Sequence, residues 1–358
     1  MHILHVVGAR PNFMKVAPVM SALAAREGIR QTLVHTGQHY DADMSRVFFQ
    51  ELSLPSPDVN LEVGSGSHVA QTAEVMRRFE HAVLESAPDL VLVYGDVNST
   101  LAAALACAKL AVPVGHVEAG LRSFDRTMPE EINRLLTDQI ADLLFTPSAD
   151  GGENLLREGV AANRIHCVGN VMIDTLIRLL PKSLERWPAL RAELRLPERF
   201  GLVTLHRPSN VDDPPTLHAL VGALVRVSDI LPVIFPVHPR TRRRMDEFGT
   251  TISGNVILTK PLGYIEFLAL QKHATFVVTD SGGVQEETTF LRVPCLTIRP
   301  NTERPITLSQ GSNTLVGSDF SRLQEEAQRA FEGQGKTGRV PPLWDGHAAE
   351  RIADIVVR

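Results

Sequence analysis

Short apolar runs alternate with longer helical patterns along almost the whole chain, and this alternation leaves few folds open. Residues 3–7 read as a strand and 15–26 as a helix. Strands at 32–35, 90–94, 112–117 and 143–146 then alternate with helices at 69–84, 100–110 and 130–141. Repeated strand–helix steps give βαβ units and a parallel sheet covered on both faces. A second series follows. Its strands lie at 201–205, 233–237, 255–258, 276–279 and 295–298, with helices at 216–227, 267–273, 284–290, 322–331 and 348–357.

Between the two series a helix at 171–180 gives way to PKSLERWPALRAELRLPERF (181–200), whose three prolines and mixed charge read as an interdomain connection. At 358 residues the chain exceeds one comfortable core. The expected fold is α/β, with two Rossmann-like, doubly wound domains facing a central cleft. Residues 1–172 form the first domain and 173–345 the second, and a C-terminal helix at 346–358 packs back on the first. Ligands of such sheets bind outside the carboxyl ends of the strands.

A net charge of -5 provides no basic field for nucleic acid, and no apolar run approaches the ~18 residues of a membrane span. The apolar run before Gly8 is too short for a signal peptide. Cys107, Cys167 and Cys295 sit in apolar surroundings without CxxC spacing, which suits small core residues in a reducing cytoplasm better than a disulfide or metal site.

The stretch GHVEAGLRSFDRTMPEEINR (115–134) leaves an apolar strand and gathers Glu118, Arg122, Asp125, Arg126, Glu130, Glu131 and Arg134. Charge at the carboxyl end of a buried strand is costly unless something there uses it, so this loop is a candidate for the acid–base carboxylates of an enzyme. Gly8-Ala9-Arg10-Pro11 follows the first strand, where Arg10 and Lys15 can meet phosphate or carboxylate; no GxGxxG fingerprint is present. Asp96 ends a strand and either caps the next helix or serves the site.

In the second half, Thr279-Asp280-Ser281-Gly282-Gly283 places bare backbone N–H groups of Ser281, Gly282 and Gly283 at a helix start, a suitable cradle for phosphate. A carboxylate one turn into that helix, such as Glu287, can accept ribose hydroxyls. His206 and His238 each end a strand, and Glu303-Arg304 adds an acid and a guanidinium. His116 and Glu118 form an HxE pair, but no further Cys or His clusters with them, so no metal is expected.

The motifs GARPNFMK (8–15), TGQH (36–39), GD (95–96), HVEAGLRS (116–123), MPEEINR (128–134), VTLHRP (203–208), FPVHPR (235–240), TDSGGVQEE (279–287) and TERP (302–305) occur in this order. Together they resemble the non-hydrolysing UDP-N-acetylglucosamine 2-epimerases over nearly the whole chain. The resemblance implies a GT-B-type fold and interconversion of UDP-GlcNAc and UDP-ManNAc without a cofactor. The route it implies is elimination of UDP to 2-acetamidoglucal, followed by re-addition with the C2 proton returned to the opposite face.

Carried over by motif, Asp96, Glu118 and Glu130 are acid–base candidates and His206 is a fourth catalytic residue. Arg10, Lys15, His238, Ser281, Gly282, Gly283 and Glu287 would hold UDP, and Arg134, Glu303 and Arg304 would line the sugar–diphosphate region. Arg122 and Asp125 are left to shape the loop, and Glu131 is expected on the side of the helix away from the site. The resemblance also implies a homodimer, and a cytoplasmic location is expected; because the loop at 115–134 supplies acids but no grip on diphosphate, closure of the domains onto 281–283 is expected before reaction.

The chain departs from the family pattern in places. GARPNFMK stands where many relatives have GTRPEAIK, and Ile306 follows Pro305 where many have Glu. Gln38-His39 is followed by Tyr40-Asp41, and the loop LEVGSGS (61–67) carries no Arg, so the activating second UDP-GlcNAc site of bacterial relatives is not expected in its familiar form. The neighbouring readings are a 2-epimerase for a UDP-2,3-diacetamido sugar, a hydrolysing epimerase, and a glycosyltransferase of the same fold.

Overall fold

Strand composition explains the architecture. In β1 (His2–Val7) and β4 (Leu90–Tyr94) every residue is buried, as a strand covered on both faces requires. The computed structural model describes residues 1–37, 49 and 51–358. Its contacts divide the chain into two units, Met1–Thr175 with Pro342–Arg358, and Leu176–Pro341.

The first unit also contains β2 (Arg30–His35), β3 (Val59–Asn60), β5 (Val114–Val117), β6 (Leu143–Thr146) and β7 (Ile165–Cys167). The order is β3-β2-β1-β4-β5-β6-β7 and every pairing is parallel. The chain reverses its direction of growth between β1 and β4, which opens a crevice at their carboxyl ends. The core packs Leu4, Val6, Val91 and Val93 against the alanine-rich helix Asn98–Leu110 and against Phe79 of the helix His68–Ser86.

The second unit repeats the plan with β8 (Gly201–Thr204), β9 (Val233–Pro236), β10 (Val256–Thr259), β11 (Phe276–Thr279), β12 (Cys295–Thr297) and β13 (Asn313–Leu315). The order is β10-β9-β8-β11-β12-β13, again all parallel, with its switch between β8 and β11. Both units are therefore doubly wound, Rossmann-like sheets.

Three differences from the sequence reading have physical causes. The first helix spans Arg10–Ala24 and starts five residues early, because Pro11 in its first turn is pre-set for helix and lacks an N–H that would go unused there. The proline-rich segment 181–200 is largely not a loop. One helix, Val171–Glu193, runs through Pro181 and Pro188. Each internal proline costs ~3 kcal/mol, and burial of Ile173, Leu176, Leu179 and Leu190 opposes that cost. The helix Ala149–Arg157, outside the helices read from the pattern, forms although it contains Gly151-Gly152, which cost helix propensity. A Cβ on Gly120 would collide with the Gly151 carbonyl, so glycine is needed where these two backbones touch.

The C-terminal helix Ala348–Val356 belongs to the first unit. The N–H groups of Ala348 and Ala349 donate to the Asp174 carboxylate at 3.3 and 2.7 Å, and Arg26 pairs with Asp354 at 2.5 Å.

Candidate active site

At the switch of the first sheet, the turns after β1, β4 and β5 are locked together by side chains. Asn12 accepts the N–H groups of Gly8 and Ala9 at 3.1 and 3.0 Å and donates to the Tyr94 carbonyl at 2.7 Å. Gly95 has φ +65°, and a Cβ there would lie 2.5 Å from Lys15 Nζ. The bare Gly95 backbone makes room for that ammonium group, which donates to Glu118 Oε1 at 2.7 Å. Lys15 and Glu118 are both buried.

Glu118 has φ +74°, a left-handed conformation that costs a non-glycine residue roughly 1–3 kcal/mol. The turn is over-determined. The N–H groups of Glu118 and Ala119 both donate to the Phe145 carbonyl, Gly120 N–H donates to Asp138, and Asn154 donates to the Gly120 carbonyl. Strain held in place this way at a ligand edge is a mark of a working residue.

The helix Pro129–Ile140 supplies the other side of this edge. Glu130 is half-buried in its first turn. Glu131, expected to face away, is 1% exposed and accepts Ser123 N–H, Ser123 Oγ–H and Phe124 N–H, each at 2.9 Å. Arg134 donates to Glu131 at 2.8 Å and to Asp96 at 2.5 Å, and Asn133 donates to the Asp96 carbonyl. Glu131 thus anchors the loop 118–128 and the guanidinium that grips Asp96. The motif leads one to expect Arg134 beside the sugar–diphosphate. In the structure it is 2% exposed and joins Asp96 to Glu131. Adjacent helix residues point about 100° apart, and only the fold places the Ser123 and Phe124 amides beside Glu131 rather than Glu130.

Asp125 closes its own turn by accepting Thr127 N–H and Oγ–H. Arg122 forks onto Glu158 at 2.8 and 2.6 Å and meets Asp138 at 2.7 Å. Arg10 opens the first helix, and its side chain lies outside the described groups, as do Gln38, His39, Tyr40 and Asp41.

The switch of the second sheet is organised by Asp280, a residue read from the sequence only as part of a turn. It is fully buried and accepts His206 N–H, Arg207 N–H and the Asn210 amide. His206 Nδ1 lies 3.2 Å from Asp280 Oδ1 while the imidazole is 43% exposed. Burial works against the Asp280 charge, but the bonds from His206, Arg207 and Asn210 hold its carboxyl below the usual range. The ring is oriented with Nδ1 on Asp280, which leaves Nε2 for a ligand. His238 is exposed, caps the helix Pro239–Glu247 and lies 5.9 Å from His206, ring to ring.

Ser281 is the N-cap of the helix Gly282–Leu291. A Cβ on Gly282 would collide with Arg304 Nη1 and lie 2.8 Å from Glu303 Oε1, so the helix start is bare on the side where that guanidinium packs. Glu303 and Arg304 are buried together. Arg304 donates to Glu303 at 2.5 Å, its Nε lies 3.0 Å from Glu286, and Arg299 lies 2.8 Å from Glu303. Glu287 is 3% exposed and accepts Tyr264 O–H at 2.9 Å and the Gln271 amide at 2.6 Å. Burial raises its carboxyl pKa, and these two donors oppose the rise.

Among the described residues, no group of three or more His, Cys, Asp or Glu is arranged to hold a metal. Both ring nitrogens of His116 are engaged within the protein, Nδ1 by Asp138 at 2.6 Å and Nε2 by the Gly95 carbonyl at 2.8 Å. The HxE pair therefore offers no imidazole nitrogen to a metal.

Two doubly wound parallel units, one with carboxylates at its switch point and the other with a histidine and a Ser-Gly-Gly helix start, make up an α/β chain of the GT-B fold class, with its ligand edges at those switch points. Residues 21–357 match the family model described as UDP-N-acetylglucosamine 2-epimerase. A UDP-N-acetylglucosamine 2-epimerase of Methanococcus maripaludis is 42% identical over 359 residues, covering 98% of this chain and 97% of that protein. The UDP-2,3-diacetamido-2,3-dideoxy-D-glucuronate 2-epimerase of Pseudomonas aeruginosa is 41% identical over 365 residues and covers 100% of each. The crystal structure of Methanocaldococcus jannaschii UDP-GlcNAc 2-epimerase in complex with UDP-GlcNAc and UDP matches with a TM-score of 0.92 at 41% identity, covering 100% of this chain and 99% of that one. The chain belongs to the UDP-N-acetylglucosamine 2-epimerase family and is an isomerase.

Proposed function

We propose that the protein interconverts UDP-GlcNAc and UDP-ManNAc without hydrolysis. The observation that carries this reading is the pairing of Lys15 with Glu118, held in a strained turn beside Asp96. A carboxylate takes the C2 proton, the C1–O bond to UDP breaks, and 2-acetamidoglucal and UDP remain bound. UDP then re-adds at C1 while a proton is delivered to the other face of C2. Asp96, Glu118 and Glu130 are the groups for these proton transfers.

His206, oriented by Asp280, donates from Nε2 to the departing diphosphate. Backbone N–H groups of Ser281, Gly282 and Gly283 cradle the phosphates, with Arg10, Lys15 and His238 as cationic or hydrogen-bonding partners. Glu287 accepts ribose hydroxyls. Glu303 and Arg304 form the wall behind Gly282. Arriving diphosphate competes with Glu118 for the Lys15 ammonium. A homodimer in the cytoplasm belongs to the same reading, and light scattering on the purified protein measures its mass.

A second reading is epimerisation of a UDP-2,3-diacetamido sugar. It is favoured by the Pseudomonas relative, whose identity to this chain nearly equals that of the methanogen enzyme. Incubation with each UDP-sugar in D2O, followed by NMR, distinguishes the two by which sugar acquires deuterium at C2.

A further inference from the structure

Beneath the first-sheet edge lies a buried charge cluster that the reaction scheme does not use. Asp138 is fully buried, yet its two oxygens serve opposite sides of the site. One lies 2.6 Å from His116 Nδ1, and the other accepts Gly120 N–H at 3.1 Å and meets Arg122 Nη1 at 2.7 Å. His116 Nε2 lies 2.8 Å from the Gly95 carbonyl. A carbonyl only accepts, so Nε2 carries a proton.

Arg122 and the Gly120 amide favour ionised Asp138. Nδ1 then donates as well. Of the charged groups that face the pair, Arg122 is matched in turn by Glu158, which gives two cations and two carboxylates. Such a closed balance makes a buried charge tolerable.

We propose that His116, protonated on both ring nitrogens, and Asp138 form a positioning pair that sets the separation of Asp96 from Glu118. His116 holds the Gly95 carbonyl, and Gly95 N–H donates to the Val117 carbonyl at 3.0 Å, so the turn carrying Asp96 is tied twice to β5 just before Glu118. Asp138 fixes Gly120 just after Glu118. One carboxylate therefore orders both turns.

The inference rests on the epimerase reading, and its test separates the two. Gln places its amide nitrogen near the position of His Nε2, and Asn near that of Nδ1. Where wild-type protein exchanges the C2 hydrogen, His116→Gln keeps the Gly95 contact and loses at most about tenfold in kcat. His116→Asn loses that contact and falls about 100-fold in kcat with KM within about threefold. Equal kcat in the two variants, or a loss confined to KM, overturns the pair. Nitrogen-15 NMR of wild-type protein, with His116 assigned by its absence in His116→Gln, reads the ring directly. Protons on both nitrogens are expected, and a ring with one overturns the proposal even if no exchange is seen. Absence of C2 exchange in wild type counts against the epimerase reading alone.

Discussion

Lys15 Nζ sits 2.7 Å from Glu118 Oε1, with side-chain exposures of 6% and 3%. A buried ion pair of this kind draws little net stability from its charge, because desolvating two ions offsets most of their attraction. Removing one partner is different, because the other keeps its desolvation cost and loses a charge-assisted bond.

Lys15→Met should therefore destabilise the first unit by about 3–5 kcal/mol in urea unfolding. The double variant Lys15→Met/Glu118→Gln should recover most of the loss. A single variant as stable as wild type would mean that Glu118 is not held by Lys15.

Arg134 gives a second test. It bridges Asp96 and Glu131, so Arg134→Ala should cut kcat about 100-fold while leaving the affinity for UDP within about threefold, measured by calorimetry. A loss of UDP affinity with kcat preserved would make it a ligand contact instead.

At Gly282 the helix start is crowded by Arg304 and Glu303. Gly282→Ala should weaken UDP binding by about tenfold or more, equivalent to at least ~1.4 kcal/mol, with the fold retained by circular dichroism. Unchanged UDP affinity would remove this turn from the phosphate site.

Asp280 sets a pH dependence. Its folded pKa lies below the unfolded value of about 3.9, so the charged form stabilises the fold above that value, and this contribution is lost as pH falls through the folded pKa. Wild type should exceed Asp280→Asn in stability at pH 7, with the gap narrowing below about pH 4 in denaturation at several pH values. A gap that widened on acidification would contradict the assignment.

Much of this is legible in the sequence itself. Strand–helix alternation places Asp96, Glu118, His206 and Ser281 at carboxyl ends of strands, and the structure finds each there, beside a topological switch. Tertiary choices were not legible. Whether Glu130 or Glu131 turns inward depends on where the Ser123 and Phe124 amides come to rest. Pro181 and Pro188 argue locally for a break, and only the burial of the surrounding leucines keeps the helix continuous. Asp280 and Asp138 look like turn and helix-surface residues until the groups that donate to them are brought in by other strands.

The most direct test of the account is a single incubation of the protein with UDP-GlcNAc in D2O, followed by proton and carbon NMR. The account predicts deuterium at C2 and a mixture of UDP-GlcNAc and UDP-ManNAc, with C2 exchange abolished in Glu118→Gln while UDP still binds. Accumulation of free ManNAc, or epimerised product retaining its original C2 hydrogen, would contradict it.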